Sequence, residues 1–191
     1  MLISPPTRSR SGFTMLELMI TLVLIAIMAS ITLPKLSMSR FRADGAMRVV
    51  QSVLQQSERN AVQRQMDVMV SFDTVNQRVR MAYDANGNHL VDAGEETHWK
   101  SLEEGSKFAT PPTGVNGAVA SSIVGSNITK SAEGYPTIIY HRDGASSSSA
   151  EVYIRSSTTT DTNGFRALLV TQATGRVDIY NYGGIWQRAG M

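Results

Sequence analysis

No cysteine occurs in the 191 residues. Disulfides, thiol nucleophiles and thiolate metal sites are therefore excluded, while the compartment stays open, because an exported chain needs no disulfide. Net charge is also scarce: 18 Lys and Arg stand against 16 Asp and Glu, a balance of +2. Arg8 and Arg10 account for that whole excess, so no global electrostatic pull toward nucleic acid exists. The three histidines, His89, His98 and His141, show no metal-ligand spacing and read as ordinary surface or loop residues. The serine runs Ser146–Ser149 and Ser156-Ser157 lack the glycine frame of a nucleophile elbow, and no phosphate-binding glycine loop is present. Nothing in this inventory points to an enzyme. At 42% hydrophobic and 18% charged, the composition is that of a folded chain.

Against these absences stands one long apolar run. From Phe13 to Leu33, 21 residues, Glu17 is the only charge. As a helix this stretch spans about 30 Å, the thickness of a bilayer's hydrocarbon core. Arg8 and Arg10 precede it, which favours a cytoplasmic N-terminus. A secretory signal peptide fits less well, since the run is long, an acid interrupts it and no A-x-A site follows. A plain membrane anchor leaves Glu17 unexplained, because an ionised carboxylate within a spanning helix costs a few kcal/mol unless partnered.

Pro34 ends the apolar run but need not end the helix, since a proline can kink one. From Lys35 to about Gln65, Phe41, Met47, Val50, Leu54, Ala61 and Val62 recur at near three-and-four spacing. That stripe predicts an amphipathic helix packed on a sheet, weakened locally at Gly45. The period then changes to two. Strands are expected at 68–72, 78–83 and 96–102, and again at 137–141, 151–155, 166–171 and 176–180. Between 104 and 136 the chain is rich in Gly, Ala, Ser and Pro and reads as a long irregular excursion, with weak strand signals at 122–129. Asp143-Gly144, 158–164 and Ala173-Thr174-Gly175 separate the later strands, which look like successive antiparallel hairpins. A long helix followed by antiparallel strands gives an α+β fold.

Ser11-Gly12-Phe13-Thr14-Met15-Leu16-Glu17 resembles the processing site of type IV pilins and of type II secretion pseudopilins. The resemblance is carried by Ser11 to about Phe72 and, less closely, by Ile138 to Trp186. Within that family, strand, loop, Arg166-Ala-Leu-Leu-Val-Thr171, Thr174-Gly-Arg-Val177 and the late Trp186 look like the H-type minor pseudopilins and the FimT-like minor pilins. The junction Glu58-Arg59-Asn60-Ala61-Val62-Gln63-Arg64 fits that group too. The family implies the pilin fold and a cut by a prepilin peptidase between Gly12 and Phe13, with Phe13 then N-methylated. It implies that Glu17 pairs with a neighbouring subunit's terminal amine during assembly, and that Pro34 bends the helix. Met15 departs mildly, standing where leucine is commoner. The implied organisation is a cleaved leader at 1–12, a membrane and filament-core helix at 13–33, its amphipathic continuation at 34–65, and a periplasmic antiparallel β domain at 66–191. The implied partners are the peptidase, other pilin or pseudopilin subunits and the bacterial inner membrane, crossed once. The implied work is structural, in a type II secretion pseudopilus or a type IV pilus. Some FimT-like relatives bind DNA for uptake through a C-terminal Gly-Arg-x-Arg motif. Here Gly175-Arg176-Val177-Asp178 keeps Arg176 but places an acid where the second arginine would stand, and an anion repels phosphate.

One further segment points to a ligand. Asp84, Asn86, Asn88, Asp92 and Glu95 fall at positions 1, 3, 5, 9 and 12 of a loop, with Leu90 offering a carbonyl at 7. That is the oxygen spacing of an EF-hand-type Ca2+ loop. His89 departs, since glycine usually makes the sharp turn there, and the flanks read as strands. The plainer reading is a polar hairpin loop turned by its glycines.

Overall fold

The computed structural model describes residues 12–117, 121–124, 128–158 and 162–189, with side chains for all of these except 31–39 and 163. Of the leader expected at 1–12, residues 1–11 lie outside them. A 50-residue helix, α1 (Met15–Arg64), comes first. Thr14 caps it: its Oγ1 accepts the N–H of Glu17 at 3.2 Å. With Glu17 three residues on, this is the Thr-x-x-Glu signature of a helix start, and an acid in the first turn also meets the positive end of the helix dipole. The helix ends where Gln65 adopts φ +53, a left-handed cap, while its Nε2 donates to the Val62 carbonyl at 2.7 Å. The chain divides into two compact units between Ser37 and Met38.

In the second unit nine strands follow among the described residues. They are β1 (Asp67–Asp73), β2 (Arg78–Asp84), β3 (Thr97–Ser101), β4 (Ser106–Phe108), β5 (Thr137–Tyr140), β6 (Ala150–Ser156), β7 (Arg166–Val170), β8 (Val177–Tyr182) and β9 (Trp186–Arg188). They make two antiparallel sheets, ordered β3-β2-β1-β5 and β4-β6-β7-β8-β9. The fold is α+β, as the change of period from helix to strands requires.

Three local expectations need correcting. The excursion between residues 104 and 136 holds a real strand, β4, whose three residues carry too little alternation to be seen before β6 pairs with it. The C-terminal Trp186 belongs to a strand, β9, paired with β8. And β5 and β6 are not a hairpin. The turn at Asp143-Gly144 carries the chain from one sheet to the other, so β5 pairs with β1 while β6 pairs with β4 and β7. Hydrophobic patterning sets the face of a strand but not its neighbour, which explains the miss.

Both sheets and the second half of α1 share one core. Ala46, Met47, Val50, Val53, Leu54 and Ala61 of the helix join Val68, Val70 and Phe72 of β1, Val152 and Ile154 of β6, and Leu168 and Val170 of β7. Two members of the expected stripe stand outside it: Phe41 is 76% exposed and Val62 43%. Polar contacts fix the helix at both ends of this half. Asn60 Nδ2 donates to the Tyr83 hydroxyl at 2.7 Å, and Ser106 Oγ donates to the Arg42 carbonyl at 2.9 Å. The β1–β2 turn is held by buried Asp73, which accepts the N–H groups of Val75 and Asn76 at 3.1 and 2.9 Å and Arg78 Nε at 2.8 Å. Burial alone would push its carboxyl up. The N–H and side-chain donors of Asn76 and the Arg78 guanidinium outweigh that and hold it down at about 2.

Candidate functional site

The N-terminal segment is the first candidate. Phe13, Met15, Leu16, Leu18, Met19, Ile20, Leu22, Val23, Leu24, Ile25, Ile27 and Met28 are all more than half exposed. Consecutive apolar residues exposed on every face of a helix cannot be one side of an amphipathic stripe; such a helix needs lipid or other helices around it. The described side chains on this half stop at Ser30 and resume at Arg40. Among the described residues no helix is long and apolar enough to cross a membrane. Glu17 is exposed and makes no ion pair among the described residues. Its local contact is the helix start, which Thr14-x-x-Glu17 spells. Gly12 and Phe13 precede the helix and are open: a side chain added at Gly12 meets nothing within 4 Å, and Phe13 is 76% exposed. The helix continues through Pro34, whose missing N–H removes one rung of the ladder.

The second candidate is the loop joining β2 to β3. Of the six residues that the spacing marks, Asn86, Asn88 and Asp92 meet through their side chains, while Asp84 and Glu95 bind the loop backbone. Asp84 is buried, and the loop winds around it: Oδ1 accepts the N–H of Gly87 at 2.7 Å and of Asn88 at 3.1 Å, and Oδ2 that of His89 at 2.8 Å. Asn86 and Asn88 both donate their amides to Asp92 Oδ2, at 2.8 and 2.7 Å. Glu95 closes the ring, accepting the N–H of Ala85 at 3.0 Å and of Asp92 at 3.1 Å. Leu90 donates its N–H to Asn88 Oδ1 at 2.8 Å. The sharp turn at the sixth position is made, despite the absence of glycine: His89 itself takes φ +59. That conformation costs a residue with a side chain about 1 kcal/mol or more.

The side chain of His89 lies in the third candidate, which sequence spacing concealed. His89 Nε2 stands 3.1 Å from Asp67 Oδ2, and His141 Nδ1 stands 3.0 Å from the same oxygen. Two of the three histidines taken for ordinary residues therefore share one carboxylate. Strand register brings them together. Asp67 pairs with Asp84 across β1 and β2, and Val68 pairs with Tyr140 across β1 and β5, so the starts of the loop and of the β5 turn meet at the start of β1. Arg142 Nε lies 3.9 Å from the other oxygen, Asp67 Oδ1. Burial pushes the Asp67 carboxyl up, but the hydrogen bonds from His141 and His89 prevail and hold it below the usual range.

The Gly-Arg-x-Arg position is occupied differently. Asp178 Oδ1 accepts Arg176 Nε at 3.0 Å and is also paired with Arg188. One carboxylate thus engages the Arg176 and Arg188 guanidinium groups.

Residues 7–33 match the family described as "Prokaryotic N-terminal methylation motif". The matched span takes in Gly12, Phe13, Glu17 and the apolar residues that follow. No curated protein matches the chain. Among solved structures it is similar to the type IV minor pilin FimU of Pseudomonas aeruginosa, at 14% identity over 72% of this chain and 87% of that one, with a TM-score of 0.48. It is also similar to the minor pseudopilin EpsH of the type II secretion system of Vibrio cholerae, in two structures. One shows 12% identity over 77% of this chain and 99% of that one, with a TM-score of 0.43. The other shows 13% identity over 74% and 96%, with a TM-score of 0.44.

Proposed function

We propose that this chain, bearing an N-terminal methylation motif, is a minor structural subunit of a type II secretion pseudopilus or a type IV pilus. The observation that carries the reading is the match over residues 7–33, placed where a side-chain-free residue precedes a helix that is apolar on every face. A prepilin peptidase would cut between Gly12 and Phe13 and methylate the new terminus. The apolar segment over 13–33, helical from Met15, would rest in the inner membrane, with the β domain on the periplasmic side, until bundling with other subunits replaces lipid as its apolar surroundings.

Glu17 has two duties in this reading. It starts the helix with Thr14, and it gives a neighbouring subunit's terminal amine a carboxylate. A charge in the bundle without its partner costs about 3 kcal/mol or more, so the pair sets register. Glu17→Ala is expected to be cut normally yet to enter filaments at least about tenfold less. Immunoblots of sheared filament and membrane fractions would read both; incorporation at the wild-type level overturns the assembly role.

The loop over 84–95 would hold Ca2+ through Asp84, Asn86, Asn88, the Leu90 carbonyl, Asp92 and Glu95. The spacing of the oxygen-bearing residues, the gathering of Asn86 and Asn88 on Asp92 and the completed turn at His89 support this, and a hard cation would supply only cross-linking charge there. Calorimetry on the full chain in detergent micelles should give a heat of binding and a raised melting midpoint at roughly millimolar Ca2+. Neither signal appearing would end the calcium reading while leaving the subunit reading intact. A DNA-binding role draws no support from Arg176, whose charge Asp178 already engages.

A further inference from the structure

We propose that Asp67, His89 and His141 form a binding site for a divalent transition cation of the Zn2+ class, clamping the 84–95 loop and the β5 turn to the first residue of β1. The ligand atoms are Asp67 Oδ2, His89 Nε2 and His141 Nδ1, and all three lie within 4.8 Å of one another. The two nitrogen-to-oxygen separations, 3.1 and 3.0 Å, are close to the edge of a zinc tetrahedron, about 3.3 Å for bonds near 2.0 Å. The imidazole planes meet at 60° with centroids 6.2 Å apart, so the rings converge on the carboxylate without stacking on each other. Two imidazoles and one carboxylate suit Zn2+, Ni2+ or Cu2+ and do not suit Ca2+ or Mg2+, which take oxygen. The site is thus chemically distinct from the acidic loop beside it.

The surroundings hold the ligands in place. Asp67 is buried at the start of β1, so its carboxylate cannot swing away. Arg142 lies beside Oδ1 and leaves Oδ2 to face the rings. The His89 N–H is bonded to Asp84 Oδ2, and the His141 N–H to the Ala145 carbonyl, each at 2.8 Å. Both imidazoles are partly open to solvent, which leaves a fourth position for water or an incoming ligand. His89 supplies an independent indication. A glycine would make the φ +59 turn without strain, yet the chain places there a residue whose ring reaches Asp67. Strain of this kind persists where a side chain is needed. The physical gain is a cross-link. Residues 67, 89 and 141 are far apart in sequence, and a chain without cysteine has no disulfide with which to join them. A cation bound only by the folded state stabilises it by mass action.

The test uses the full chain in detergent micelles, with excess Ca2+ present throughout to occupy the acidic loop. Equilibrium dialysis against Zn2+ should give one tightly held ion per chain and a raised melting midpoint. His89→Gly, which also relaxes the left-handed turn, and His141→Gln should each weaken binding at least about tenfold while still melting cooperatively. His98→Gln should bind as the unaltered chain does. Loading the unaltered chain with Co2+ should give the visible absorption of a four-coordinate nitrogen and oxygen site. Zn2+ binding unchanged in both ligand variants, binding lost equally in His98→Gln, or no Co2+ band in the unaltered chain would each overturn the site.

Discussion

Gly12→Val leaves the chain at its unprocessed mass, with the leader attached and Phe13 unmethylated. The expectation rests on what the glycine does and does not touch. A Cβ at residue 12 meets nothing within 4 Å, and the helix begins only at Met15, so the substitution has no route to the fold. Whatever it alters must be read by another molecule. A peptidase that grips extended backbone at the scissile bond requires close approach, and a β-branched side chain blocks it. Mass spectrometry of the membrane fraction separates the two masses, and thermal melting of the purified chain should be unchanged. Normal cleavage and methylation of Gly12→Val would show that the cut site has been misplaced.

Gly175→Ala, at a buried glycine within the β7–β8 turn, should destabilise the β domain by about 3 kcal/mol. The residue has φ +64, and a Cβ there would fall against the carbonyl oxygen of Gly144, far inside contact distance. It would also press on the Tyr140 ring, 3.1 Å from Cε1 and 3.3 Å from Cδ1. Two costs add: the left-handed backbone, about 1 kcal/mol, and overpacking against a backbone that cannot yield, about 2 kcal/mol. Here the turn between β7 and β8 is pressed against the turn that carries the chain from β5 to β6. Chemical denaturation of the full chain measures the loss. Arg176→Ala, one residue on, serves as the contrast, since Arg176 is largely exposed and should shift stability by no more than about 1 kcal/mol. A change below about 0.5 kcal/mol for Gly175→Ala would contradict the packing account. Gly175, the first residue of the Gly-Arg-x-Arg position, is thus explained by two turns in contact.

The loop over 84–95 and the cluster beside it show where sequence is legible and where it is not. Asp84, Asn86, Asn88, Asp92 and Glu95 declare themselves by spacing, because a loop that winds around one carboxylate is built from neighbours in sequence. His89 looked like a defect in that spacing. Its ring, however, serves Asp67, and nothing within the loop reveals this. Likewise Thr14 and Glu17 could be read as a helix start from four residues, while β4 and β9, three residues each, offer no period to read until β6 and β8 pair with them.

By itself the sequence determined the seven-residue motif at 11–17, the run of apolar residues that follows it, the helical stripe after that and the positions of seven strands. Each of these is a local property: a motif of seven residues, or a period of 3.6 or 2, needs no distant partner. Only the tertiary structure decided that β5 crosses back to β1, that β6 joins the other sheet, and that Asp67, His89 and His141 share a point in space. Strand register is what separates the two kinds of knowledge. Pairing Val68 with Tyr140 and Asp67 with Asp84 is chosen by how one core is filled, and the core is known only once the whole chain is packed.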